Sequence, residues 1–165
     1  MIFDAATFRK ILGHYPTGVC VVSAVTADGR PIGMTVGSFT SVSLEPPLVG
    51  FFPDRKSTSW AAIEAMGRFC VNILARDQDR LCRKFSAASA DRFTDVVHRL
   101  SHHGSPILDG AVAWIDCTIH SVTETGDHLL VLGEVQAMAA QPSASPLVFL
   151  RGKLGHVIDI EVSRP

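Results

Sequence analysis

The chain has 165 residues, 47% of them apolar and 19% charged, which suits one globular domain with a sizeable core. We therefore predict a single domain over residues 1–165. A formal net charge of -1 and a pI near 6.6 leave no basic footprint, so nucleic acid and anionic membranes are excluded as partners. The chain shows no apolar run long enough to cross a bilayer and no secretion-signal pattern, and we expect a cytoplasmic protein.

The cysteine pattern predicts reduced thiols in the core. The four cysteines lie far apart, mostly in apolar segments, and form no Cys-x-x-Cys pair. Only His102-His103 resembles clustered metal ligands, and neighbours on an extended chain point in opposite directions. We therefore predict no metal site.

The first elements are a helix and a buried strand. The helix is predicted from about Asp4, its N-cap, to Leu12, with Gly13 ending it and its apolar side packed over a barrel mouth. Residues 19–25 are continuously apolar, which indicates a strand covered on both faces. A turn is predicted at residues 28–31.

Residues 33–47, here called the ring segment, carry more hydroxyls than strand propensity favours. They are Thr35, Ser38, Thr40, Ser41 and Ser43. Small hydroxyl side chains leave room for a flat molecule whose polar edge the backbone can bond. Pro46-Pro47 ends that strand or marks a sheet edge.

Residues 54–60, here called the phosphate turn, follow a predicted strand at 48–52. A helix that begins at Ser57 or Thr58 and stops at Gly67 would direct free N–H groups and its positive dipole end at one point, with Lys56 or Arg55 adding charge. The two segments together predict a site for a planar ring with a phosphate tail. The alternative is an ordinary surface strand followed by a helix cap.

The middle of the chain predicts a strand, a helix and a loop. The strand covers residues 68–74, where Asn72 either bonds local backbone or contacts the ligand. Asp77 is expected to cap a helix that runs through Lys84-Phe85. Residues 86–105 lack periodicity and predict a long loop.

The last third predicts four strands. They cover residues 111–123, 128–137, 147–150 and 155–160, and a hairpin turn at 124–127 joins the first two. About six or seven strands with two or three short helices favour a mainly β, antiparallel barrel with peripheral helices.

The ring segment, Gly33-Met-Thr-Val-Gly-Ser-Phe-Thr-Ser-Val-Ser-Leu-Glu-Pro-Pro47, resembles the signature of the flavin reductase family, NAD(P)H-dependent enzymes with an FMN-binding split barrel. The resemblance covers the chain from Phe8 to Val157. Further matching motifs follow in order: Tyr15-Pro-Thr-Gly-Val19, Lys56-Ser-Thr58, Arg68-Phe-Cys-Val-Asn-Ile-Leu74, Gln78-Asp-Arg-Leu81, Lys84-Phe85, Gly126-Asp-His128 and Arg151-Gly152.

The resemblance implies a fold and a set of site residues. The fold is an antiparallel Greek-key split β-barrel, commonly a homodimer with flavin near the subunit interface, and residues 86–105 would overlie the flavin. Lys84 and Phe85 would close one side of the site, and Arg151 would reach the nucleotide or a nearby carboxylate. The ring and ribityl chain would lie against Thr35, Val36, Ser38, Ser41, Val42 and Ser43, and the phosphate against Lys56, Ser57 and Thr58.

His128 is the one catalytic candidate. Its family motif implies a contact with nicotinamide or with a ring carbonyl, whereas the residue pattern alone favours an exposed turn histidine. The chain departs from the family at Leu154, where many members have an aromatic residue after the Arg-Gly pair.

The resemblance implies an NAD(P)H:flavin oxidoreductase. It would use NADH or NADPH to reduce FMN, with FAD possible, and would pass reduced flavin to a partner monooxygenase. The alternatives are a flavin-binding module without turnover and an FMN-dependent oxidase resembling pyridoxamine-phosphate oxidases.

Overall fold

The protein is mainly β. The computed structural model describes residues 3–89 and 91–158, and all strand pairs among them are antiparallel. The helices are α1 (Ala5–Leu12), α2 (Thr58–Glu64) and α3 (Asp79–Ser86). The strands are β1 (Thr17–Gly18), β2 (Cys20–Val25), β3 (Pro31–Val36), β4 (Thr40–Leu44), β5 (Pro47–Phe51), β6 (Arg68–Ile73), β7 (His98–Leu100), β8 (Pro106–Leu108), β9 (Ala113–Thr125), β10 (His128–Ala140), β11 (Leu147–Leu150) and β12 (Lys153–His156).

The main sheet has seven strands in the order β3-β2-β6-β9-β10-β5-β4. Its two edge strands, β3 and β4, are neighbours in sequence and are joined by residues 37–39 alone. A flat sheet of this width would hold them roughly 29 Å apart, whereas the four Cα-to-Cα steps from Val36 to Thr40 span at most about 14 Å. The sheet is therefore strongly curled.

The curled sheet separates two apolar cores. Strand β2 contributes to both, because Cys20 and Val22 face the first core while Val19, just before the strand, and Val21 face the second. This confirms the prediction of a strand covered on both faces. In the first core, Phe51 packs edge-on against Trp60 and Phe69, each at 5.4 Å between ring centroids. The second core lies under α3 and the segment that follows it.

Local signals predicted several elements correctly. The Asp4 carboxylate accepts a hydrogen bond from Thr7 N and caps α1, and the Ser57 hydroxyl accepts one from Trp60 N and caps α2. Gly29 and Gly126, in the two predicted turns, both have positive φ, at 80° and 67°. These features depend on neighbouring residues alone.

Four predictions of local structure need correction. Helix α1 has no buried residue, so its apolar face does not pack over a barrel mouth. Helix α3 begins at Asp79 after Gln78, and Asp77 is not its cap. The predicted loop 86–105 contains strand β7, which pairs with β8. The last strand within the described residues, β12, begins earlier than the predicted 155–160, and residues 159–160 lie outside the described part of the chain.

The described residues also bear on the thiol and membrane predictions. All four cysteines are buried and unpaired, as predicted. No helix within residues 3–89 and 91–158 is long and apolar enough to cross a membrane. The same residues contain no cluster of three or more His, Cys, Asp and Glu side chains suited to a metal ion.

Candidate flavin site

The ring segment and the phosphate turn lie against each other. The Ser38 hydroxyl accepts a hydrogen bond from Phe52 N at 2.9 Å, just before the phosphate turn. The Ser57 hydroxyl, which caps α2, also donates to Met34 Sδ at 3.9 Å in β3. The two halves of the site predicted from sequence are therefore adjacent in space.

The β9–β10 hairpin brings His128 beside the phosphate turn. Leu129 N donates to Pro53 O at 2.9 Å, and Arg55 N donates to Asp127 O at 3.1 Å. A groove of about 580 Å³ lies between the two turns. It is lined by Asp54, Arg55, Lys56, Gly126 and Asp127. The arrangement joins two predicted site motifs that are far apart in sequence.

Of the two cations in this groove, Lys56 is the more available. The Arg55 guanidinium donates to Gly126 O at 3.3 Å and pairs with Glu124 at 3.4 Å. The Lys56 side chain is exposed and has no hydrogen-bond or ion-pair partner among residues 3–89 and 91–158. Its backbone N–H donates to Asp54 Oδ1 at 2.7 Å, which fixes the turn that presents it.

His128 is oriented by its neighbour. Its Nδ1 lies 2.8 Å from Asp127 Oδ1, and its side chain is 45% exposed. A carboxylate partner assigns the proton to Nδ1, which leaves Nε2 as an open acceptor. The hydrogen bond from His128 lowers the pKa of Asp127 below the usual 3.8. The carboxylate therefore stays ionised at neutral pH and holds the ring in place.

The edge strand β4 presents the exposed part of the ring segment. Ser41 is exposed, Val42 is 48% exposed and Ser43 is half-buried. The register with β5 shifts between Ser41 and Ser43, so Val42 between them lies at a local irregularity of this edge strand. Thr58 is exposed at the start of α2.

Of four further predicted site residues, Val36 and Phe85 are buried, whereas Thr35 and Lys84 are half-buried and bonded within the protein. The Thr35 hydroxyl donates to Cys82 O at 3.1 Å in α3, and Val36 is buried in the first core. Phe85 is 1% exposed and packs edge-on against Phe93 at 5.0 Å. The Lys84 ammonium donates to Thr94 O. Phe85 and Lys84 therefore hold the segment after α3 in place, and they would act on a ligand only through it.

Asn72 and Arg151 lie apart from this groove. The Asn72 amide is fully buried, donates to Ser23 Oγ at 3.0 Å and accepts from Leu108 N at 2.8 Å. These bonds favour the structural alternative for Asn72, and we leave it out of the site. The Arg151 backbone N–H donates to Gly13 O at 2.9 Å, beside a separate apolar groove of about 740 Å³.

The structure adds Arg92, which sequence reasoning did not single out. Its guanidinium reaches both β3 and α2, although it follows them by more than thirty residues. An arginine in a polar loop has no local signal of such a contact. Leu154, the departure from the family pattern, packs inward against the second core.

Comparison with known proteins identifies the family of this chain. The family described as flavin reductase like domain matches residues 12–157. The chain belongs to the flavin reductase family. The resemblance predicted from its motifs is thereby confirmed, and the match includes the ring segment, the phosphate turn and His128.

Individual members of the flavin reductase family match over most of their length. A flavin reductase of Pseudomonas putida is 54% identical over 152 residues, covering 92% of this chain and 89% of the relative. HsaB, the reductase subunit of a flavin-dependent monooxygenase of Mycobacterium tuberculosis, is 45% identical, covering 90% and 80%. The solved NADH:FAD oxidoreductase SgcE6 of Streptomyces globisporus, in complex with NAD and FAD fragments, has a TM-score of 0.89 at 34% identity, covering 98% and 96%.

Proposed function

We propose that this protein is an NAD(P)H:flavin reductase that reduces FMN, or FAD less favourably, and supplies the reduced flavin to a partner monooxygenase. The observation that carries the proposal is that two distant segments lie against the phosphate turn with Lys56 in a chain of this family: the ring segment, through Ser38 and Phe52 N, and the β9–β10 turn next to His128. The relatives named as a flavin reductase and as the reductase subunit of a monooxygenase support it.

The donor set fits a flavin phosphate. We assign the phosphate to Lys56, Ser57 and Thr58, because hydroxyls at a helix start and an ammonium with no partner in the described part of the chain suit an anion. The isoalloxazine and ribityl chain are assigned to the exposed face of the ring segment, namely Ser38, Ser41, Val42 and Ser43. Thr35 and Val36 would support that face from below.

Bound flavin supplies the ring nitrogen that accepts the hydride of reduced nicotinamide. The protein need only align the two rings and stabilise the charge that develops. We assign that alignment to His128, whose open Nε2 can bond nicotinamide or a ring carbonyl while Asp127 fixes its orientation. No side-chain nucleophile is required.

We propose two further features of the assembly. The curled sheet would form the Greek-key split barrel of the family, since its edge strands are tied by residues 37–39. The protein would be a homodimer with flavin near the interface. The use of NADH or NADPH and the cytoplasmic location stay predictions from sequence.

A steady-state assay tests the function. Purified protein is titrated with FMN, FAD and riboflavin, each against NADH and NADPH, while nicotinamide absorbance is followed. Saturable oxidation that requires added flavin is expected. A protein that binds flavin but oxidises neither nicotinamide would refute the reductase and favour the non-catalytic module or an oxidase with another donor.

The phosphate assignment has its own test. Lys56→Gln should raise the KM for FMN by about tenfold, the value of one charge-assisted hydrogen bond, and leave the KM for riboflavin unchanged. The matched control is Lys153→Gln, another exposed lysine, on β12. Equal effects on FMN and riboflavin would contradict the assignment.

A second pair of variants tests His128. His128→Ala should slow flavin reduction by roughly tenfold, the loss of one orienting hydrogen bond, with flavin affinity nearly intact. His156→Ala, on exposed β12, is the control. Unchanged turnover at saturating reduced nicotinamide would remove His128 from the mechanism.

A further inference from the structure

Arg92 joins the ring segment to the phosphate turn. Its Nη1 donates to Gly33 O at 2.9 Å in β3 and to Ser59 Oγ at 2.6 Å in α2, and its Nε donates to Ala87 O at 2.8 Å. Gly33 lies two residues before Thr35, and Ser59 directly follows Thr58. Arg92 thus contacts both segments next to the residues assigned to the ligand.

The chemistry of arginine suits this position. Strand β3 is an edge of the main sheet, and an edge carbonyl needs a donor from elsewhere. The guanidinium is rigid and planar, so two bonds from one nitrogen set the spacing between their acceptors. A direct bond between the segments, from the Ser57 hydroxyl to Met34 Sδ at 3.9 Å, is weak because a thioether is a poor acceptor.

Arg92 is itself held in place by the two residues that follow it. The next residue, Phe93, is buried against Phe85, and Lys84 binds Thr94 O. Phe85 in turn fills the space over Gly33, where a Cβ would come within 2.9 Å of its ring. Arg92 therefore acts as a fixed strut between β3 and α2.

We propose that Arg92 is a positioning residue that sets the distance between the ring-binding and phosphate-binding segments, and so determines the preference for FMN over riboflavin. The inference rests on the proposed flavin site. A flavin with a phosphate must engage both segments at once, and fixing their spacing beforehand reduces the ordering cost of binding. Riboflavin lacks the phosphate and engages only the ring segment, so the spacing should not affect it.

The test measures binding of FMN and riboflavin by flavin fluorescence quenching, together with KM and kcat. Arg92→Ala should weaken FMN binding by about tenfold, leave riboflavin binding within about twofold and leave kcat at saturating flavin within about threefold. Ser59→Ala should give part of the effect. Arg92→Lys should restore part of it, because an ammonium replaces the charge without the planar fork. The control is Arg76→Ala, an exposed arginine before α3.

The outcomes separate the inference from the function on which it rests. Equal loss of FMN and riboflavin affinity in Arg92→Ala, or a loss no greater than in Arg76→Ala, would refute the positioning role of Arg92. If Arg92→Ala fails to fold, Ser59→Ala and Arg92→Lys carry the same comparison. A wild-type protein that binds FMN no better than riboflavin would refute the positioning role of Arg92 but not the reductase function. A wild-type protein that binds neither flavin refutes both the strut and the reductase.

Discussion

Gly133 should tolerate no side chain. It lies in β10 at a register shift with β9, and a Cβ there would come within 2.4 Å of Phe69 Cζ and 3.1 Å of Cys117 Cβ. Phe69 is fully buried and packs edge-on against Phe51, so its ring cannot move away without opening the first core. Gly133→Ala is therefore an overpacking substitution.

The expected loss is near the upper end for overpacking, about 3 kcal/mol in the free energy of unfolding. For a domain of this size each kcal/mol lowers Tm by roughly 2–4 °C, so Tm should fall by about 6–12 °C. The control is Gly155→Ala in β12, where an added Cβ meets nothing within 4 Å. Its Tm should change by no more than about 2 °C.

Thermal and urea unfolding, followed by circular dichroism, measure both variants. Phe69→Leu in the Gly133→Ala background should be more stable than the two single losses added, because leucine removes the ring atom that clashes. Equal Tm values for Gly133→Ala and Gly155→Ala would refute the reasoning. So would additive losses of stability in the double variant with Phe69→Leu. Either result would mean that the β9–β10 hairpin can shift to accept a methyl group.

Three further predictions concern buried and site-forming groups. Burial raises the pKa of Cys20 and Cys117 from 9.0 to about 12. Between these two pH values only the unfolded chain ionises at these thiols, so the free energy of unfolding should be highest below pH 9 and fall as the pH rises towards 12. Melting curves against pH check this, and Cys117→Ala should show a smaller fall. Asn72→Ala should lower the free energy of unfolding, measured by urea denaturation, by about 1–3 kcal/mol without changing flavin affinity. Weaker flavin binding with unchanged stability would instead place Asn72 in the ligand site. Asp127→Asn should slow turnover less than His128→Ala, since it loosens the ring without removing it, and an equal or larger loss in the same assay would contradict that role.

Much of the local structure and the family of the protein followed from sequence. Asp4 and Ser57 cap their helices and the β2 segment is apolar on both faces, and these features depend on residues close in the chain. The hydroxyls of the ring segment and the Lys56 motif identified the flavin reductase family. The strand and helix ends that were wrong, at Asp77 and β12, lie where local signals compete.

Tertiary structure alone decided which of the candidate residues are accessible. The curl of the main sheet buries Val36 and Phe85 and turns the Asn72 amide into a structural group. The register of a long hairpin places His128 beside Asp54 in the phosphate turn, and a loop side chain, Arg92, spans β3 and α2. A sequence pattern specifies which face of an element is apolar, but the partner of that face depends on contacts between distant parts of the chain, which local residue order does not encode.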